Sequence, residues 1–73
     1  MKDVYFHESK INRSEGRLFV TTSPGKKTTL LCSELFWLND TSSKIEARIK
    51  INWYCERYNY NLVEYDNEHR QTT

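Results

Sequence analysis

The segment from Lys44 to Glu56 constrains this chain more than any other. Ile45, Ala47, Ile49, Ile51, Trp53 and Cys55 recur at every second position, with Lys44, Glu46, Arg48, Lys50, Asn52 and Tyr54 between them. Strict alternation over this length is the signature of a half-buried strand, whose side chains point to opposite faces in turn. The competing reading is a helix. It would gather Ile45, Ile49 and Trp53 on one stripe and leave Ala47, Ile51 and Cys55 on nearly the opposite side, needing a second core. Ser43 followed by Glu46 has the spacing of a capping box and favours that helix. The alternation outweighs it, so the segment is expected to be a strand with Trp53 buried and Arg48, Lys50, Asn52 and Tyr54 in a row on the solvent face.

Around this strand, Val4–His7 and Arg17–Thr22 are rich in β-branched and aromatic residues and read as a hairpin joined by a long polar loop over Ser9–Glu15. Pro24-Gly25 suits the centre of a type II turn. Leu30, Leu31, Leu35, Trp37 and Leu38 fall near one side of a helix expected over Thr28–Leu38, although Leu35–Leu38 also fits a buried strand. A turn near Arg57–Asn59 and a last strand over Tyr60–Tyr65 complete the pattern. The expected fold is therefore α+β and ββαββ, a four-stranded antiparallel sheet with one helix on its apolar face. It forms a single domain over residues 1–73, with a frayed polar tail over 66–73.

At 73 residues, such a domain buries only roughly 60% of the surface its unfolded chain exposes, so the core must be small and self-association would help it. The hydrophobic fraction of 37% is low, and the ten aromatic residues are an efficient way to fill that core. No apolar run is long enough for a signal peptide or a membrane span, which makes a cytoplasmic protein the expectation. Cys32 and Cys55 both fall on expected apolar faces, and buried free thiols are expected in place of a disulfide.

Catalytic and metal chemistry find little support. Gly25-Lys26-Lys27-Thr28 resembles a phosphate loop in context, but Val20 stands where the first glycine is required and Lys27 where Ser or Thr must follow the lysine. What survives is an anion or nucleic-acid contact by Lys26, Lys27 and Thr28 at the start of the expected helix. His7-Glu8 lacks the second histidine of a zinc-protease helix, because position 11 is Ile11. No enzyme activity, cofactor or metal is expected.

The net charge of +1 gives no general attraction to polyanions. A binding face made of Arg48, Lys50, Asn52, Tyr54, Tyr58 and Tyr60 has the composition of interface hot spots, so the expected function is a non-enzymatic module that binds another protein. Small chains of this kind are often regulators or inhibitors, some of them carried by phages. The alternative partner is nucleic acid, contacted by the same cations and tyrosines together with Lys26 and Lys27.

Overall fold

The structure is a computed structural model and describes residues 1–25 and 27–64, so Lys26, Tyr65 and the tail expected to fray lie outside the described residues. Three strands come first: β1 (Lys2–Lys10), β2 (Glu15–Thr21) and β3 (Leu30–Trp37). The one helix among the described residues, α1 (Thr41–Arg57), then crosses to β4 (Tyr60–Glu64). The sheet order is β3-β2-β1-β4. β1 pairs antiparallel with β2 and β2 with β3, whereas β4 lies parallel to β1, with Val4 opposite Leu62. The fold is thus α+β as expected, but the order is βββαβ and the sheet is mixed.

The expected hairpin forms with longer strands and a shorter loop. Asn12 closes that loop, its Oδ1 accepting from the backbone N–H groups of Ser14 (2.8 Å) and Glu15 (2.9 Å). Such side-chain capture of nearby amides is what suits Asn to turns. Gly25 does not take a positive φ, so Pro24-Gly25 is not the type II turn its sequence suggests.

Two elements exchange identity. The segment expected to be a strand, Lys44–Glu56, is α1, and the expected helix over Thr28–Leu38 is the strand β3. A two-residue step advances a helix by about 200°, so strict alternation also describes a helix with apolar stripes on opposite sides. α1 is such a helix. Ala47, Ile51 and Cys55 are buried against the sheet, while Ile45, Ile49 and Trp53 face solvent. Two small residues, Ala47 and Cys55, lie inward on either side of Ile51. Asp40 caps the helix, its carboxylate accepting from Ser43 N–H at 3.3 Å. The Ser43–Glu46 box does not form as such, because Ser43 Oγ instead accepts from the Trp37 backbone N–H at 3.0 Å. The turn expected near Arg57–Asn59 is the helix end, with Asn59 in the left-handed region at φ 57° before β4 begins.

The core is the layer between α1 and one sheet face, formed by Val4, Phe6, Leu18, Val20, Phe36, Ala47, Ile51 and Cys55. Gly16 faces Phe36 across β2 and β3, and the ring lies directly over it; a Cβ there would come within 2.9 Å of Phe36 Cε1. Three ion pairs fasten the helix to this face. Lys44 Nζ reaches Glu8 at 3.0 Å, Arg48 Nη2 reaches Glu64 at 2.7 Å, and Lys50 Nζ reaches Glu34 at 3.8 Å. Cys32 and Cys55 are both free, Cys55 buried on the helix and Cys32 half-buried on β3, the reverse of the elements expected to carry them. No described helix is long and apolar enough to cross a membrane.

Candidate functional site: the outer side of helix α1

Helix α1 presents a second apolar surface opposite its buried one. Ile45, Ile49 and Trp53 succeed one another at four-residue spacing, and they are 55%, 42% and 67% exposed. Residues spaced by four lie on one helix face, so the three form a continuous ridge. Together they offer on the order of 300 Å² of apolar surface, the scale of the largest patch on a typical monomer, and such patches are often functional. All three were expected in the core. The residues that cover the sheet in their place are Ala47, Ile51 and Cys55, two of which are smaller than any residue of the ridge.

Of the expected partner-binding residues, Arg48, Lys50, Asn52 and Tyr54 lie on α1, while Tyr58 caps its end and Tyr60 begins β4. The four on the helix do not form one row, because the helix carries them to both flanks. Arg48 and Asn52 share one flank, with Arg48 Nε donating to Asn52 Oδ1 at 3.4 Å. The Arg48 guanidinium also lies 4.2 Å from the Phe6 ring centroid, so the side chain covers core edge as well as pairing with Glu64. Lys50 and Tyr54 share the other flank. Tyr54, Tyr58 and Tyr60 come together at the end of the helix, with ring centroids 4.9 Å apart for Tyr54–Tyr58, 6.0 Å for Tyr54–Tyr60 and 5.9 Å for Tyr58–Tyr60. Desolvation, with Tyr60 as the next contributor, pushes the Tyr54 hydroxyl above the ordinary phenol value.

Between the tyrosine cluster and β3 lies a cleft of about 280 Å³, lined among others by Cys32, Glu34, Lys50, Trp53, Tyr54 and Tyr58. Burial holds the Cys32 thiol up at about 11, with smaller contributions from Cys55 and Glu34. The Cys55 thiol is likewise raised by burial, against an opposing effect of Arg48. Both thiols are therefore poor nucleophiles at neutral pH.

The expected anion site does not assemble. Lys27 and Thr28 lead into a strand, so no helix amides stand behind them. Thr28 Oγ1 instead accepts from Ser23 N–H at 2.9 Å and bonds Thr22 Oγ1 at 3.2 Å, bracing the β2–β3 loop. Lys26 lies outside the described residues. On the helix, Lys44, Arg48 and Lys50 are each already held by a glutamate.

The sheet face away from α1 carries a different arrangement on its two central strands. His7 stacks on Phe19 with centroids 4.8 Å apart, and the Arg17 guanidinium lies 4.7 Å from the Phe19 centroid. Thr21 Oγ1 donates its single proton to the Ser23 carbonyl at 2.9 Å. His7 Nε2, 2.7 Å from the same oxygen, must therefore be the donor to it. Arg17 Nε is buried with no hydrogen-bond partner.

The chain matches no protein family, no curated protein and no solved structure.

Proposed function

We propose that this chain is a small non-enzymatic module that binds another protein through the outer side of α1, in the cytoplasm, and regulates or inhibits that partner. The observation that supports the reading is the ridge of Ile45, Ile49 and Trp53, exposed at spacing that lets one groove or flat apolar surface receive all three. A stable interface buries about 800 Å² per partner, more than the ridge offers. Arg48, Lys50, Asn52, Tyr54, Tyr58 and Tyr60 would form its rim, and Trp53 its anchor. Arg48 and Lys50, which flank the ridge, are paired within the chain with Glu64 and Glu34, which suits an apolar partner better than a polyanion.

Affinity capture from host lysate, comparing wild type with Ile49→Lys, tests this. A partner retained by wild type and lost by Ile49→Lys, at unchanged melting temperature, is the expected result. A specific partner held equally by both would remove the helix ridge as the working surface.

One observation favours nucleic acid as a second reading. The His7–Phe19 stack beside Arg17 sits on central strands, where single-stranded bases stack on open sheets. Titration with single-stranded DNA and RNA at two salt concentrations separates the readings, because phosphate contacts weaken steeply with salt. Binding that is salt-sensitive and lost in Phe19→Ala would favour this second reading, and no binding at low salt would dismiss it.

A further inference from the structure

The backbone hydrogen bonds of β3 identify which of its groups remain open. Leu38 N–H donates to the Ser14 carbonyl at 2.8 Å, which makes Ser14 and Leu38 a hydrogen-bonded pair in the β2–β3 register. Such pairs recur at every second residue of an antiparallel ladder. Phe36, Glu34 and Cys32 therefore turn their amides and carbonyls toward β2, while Trp37, Leu35 and Ser33 turn theirs toward the free edge. Trp37 is closed off there by α1: its N–H donates to Ser43 Oγ at 3.0 Å and its carbonyl accepts from Asp40 N–H at 3.1 Å. At the other end, Leu31 is the extra residue of a bulge, because Val20 pairs with Cys32 and Thr21 with Leu30. Between bulge and cap, the groups left open are the N–H and C=O of Ser33 and Leu35.

We propose that this edge pairs with the same edge of a second copy, making a two-fold dimer with a continuous eight-stranded sheet. Two open residues at positions i and i+2 are self-complementary. Placing a two-fold axis beside Glu34 sets Ser33 of each copy opposite Leu35 of the other, and four hydrogen bonds then use every open group between bulge and cap on both strands. A foreign strand could satisfy no more of them. The edge also lacks the usual guards: β3 is eight residues long, contains no Lys, Arg or Pro, and leaves Leu30, Leu35 and Trp37 more than half exposed. Its single charge, Glu34, points toward the helix side and is held by Lys50. In the dimer the two Glu34 side chains oppose each other, a cost that limits the affinity and gives the register a signature. Both α1 ridges then lie on one face of the dimer, so a partner bearing two sites would be engaged bivalently. The pairing itself does not depend on what the ridge binds.

Sedimentation analysis from low-micromolar to millimolar concentration is the first test, and it should show a monomer–dimer equilibrium. Ser33→Pro removes an outward N–H without touching the β2 ladder, and Leu35→Lys places a charge on the edge. Each should weaken the dimer by roughly tenfold or more at unchanged monomer fold, since either change acts twice in a two-fold interface. Glu34→Gln should tighten it. Residues opposite each other in hydrogen-bonded pairs are about 5.5 Å apart, within disulfide reach. An equimolar mixture of Ser33→Cys and Leu35→Cys chains should accordingly cross-link under mild oxidation, while wild type and either variant alone should not. A protein that is monomeric throughout the range overturns the proposal, and so does a dimer indifferent to Ser33→Pro and Leu35→Lys.

Discussion

Replacing Ile51 by alanine should cost several times more stability than replacing Trp53, although Trp53 is the larger residue. Ile51 is 1% exposed and packs in the centre of the helix–sheet layer. The change removes three methylene-sized groups, worth about 2.4 kcal/mol in transfer at roughly 0.8 kcal/mol each. A residual cavity of up to roughly 80 Å³ adds as much as about 2 kcal/mol, with partial collapse bringing the total to about 3 to 4 kcal/mol. A domain of this size has a total stability of about 4 to 11 kcal/mol, so Ile51→Ala should remove a large fraction of it. Trp53 is 67% exposed. About a third of a full Trp truncation is then at stake, roughly 1 to 1.5 kcal/mol. Alanine's better helix propensity returns about 0.5 kcal/mol of that. Urea unfolding followed by far-ultraviolet circular dichroism measures both, with Ile51→Val as a milder control expected at about 0.5 to 1.5 kcal/mol. Equal losses for Trp53→Ala and Ile51→Ala would refute the assignment of the two helix faces.

Gly16→Ala should destabilise by about 1 to 3 kcal/mol, because the new methyl meets the Phe36 ring; recovery in the double variant Gly16→Ala/Phe36→Leu, measured by the same unfolding curves, checks that cause. Arg48→Ala should cost about 1 to 2 kcal/mol through its joint loss of the Glu64 pair and the Phe6 ring contact, and Arg48→Met, which keeps the stem against the ring, should recover part of it in thermal melts. With Cys32 held at about 11, only about one thiol in a thousand is thiolate at pH 8, so native alkylation should be slow and should accelerate about tenfold per pH unit, while urea restores ordinary rates. The same shift has a sign for stability: the folded state holds these thiol protons more tightly than the unfolded chain does. The contribution is therefore complete below the unfolded thiol value and is lost as pH rises toward about 11, which alkaline unfolding curves of Cys32→Ala against wild type will register.

The hairpin of β1 and β2 and the strand β4 were legible because their β-branched and aromatic residues favour extended backbone. The helix was not, and the reason is geometric. An apolar residue at every second position fits one face of a strand or two opposite faces of a helix, and the pattern alone cannot tell which. The deciding information was local: Asp40 stands three residues before Ser43, whose N–H its carboxylate receives, and a position-by-position comparison of size puts Ala47 and Cys55 where the backbone must come close. β3 misled for the complementary reason. Its exposed Leu35 and Trp37 sit on a strand edge and an open face, so apolar residues there carry no burial signal. Composition singles out Arg48, Lys50, Asn52, Tyr54, Tyr58 and Tyr60, but not their placement on two flanks of α1, at its end and on β4. The exposed ridge of Ile45, Ile49 and Trp53 reads as core in the sequence.

The parallel pairing of β1 with β4 also fixes the order in which the molecule can be completed. Asp3 and Asn61 are joined by a side-chain hydrogen bond of 2.9 Å across 58 positions of sequence, and between them lie the whole meander and the helix. A nascent chain that has reached Arg57 holds every residue of β1, β2, β3 and α1, yet one flank of its central strand β1 is still bare and Arg48 lacks Glu64. Closure of so long a loop is slow and its entropic cost comes before any reward. During that interval the bare flank of β1 and the open edge of β3 are exposed together, so two unfinished chains could trade strands. The five-residue strand β4 thus acts as a latch, and slowing its arrival by substitutions such as Leu62→Ala should raise aggregation during refolding more than it lowers equilibrium stability.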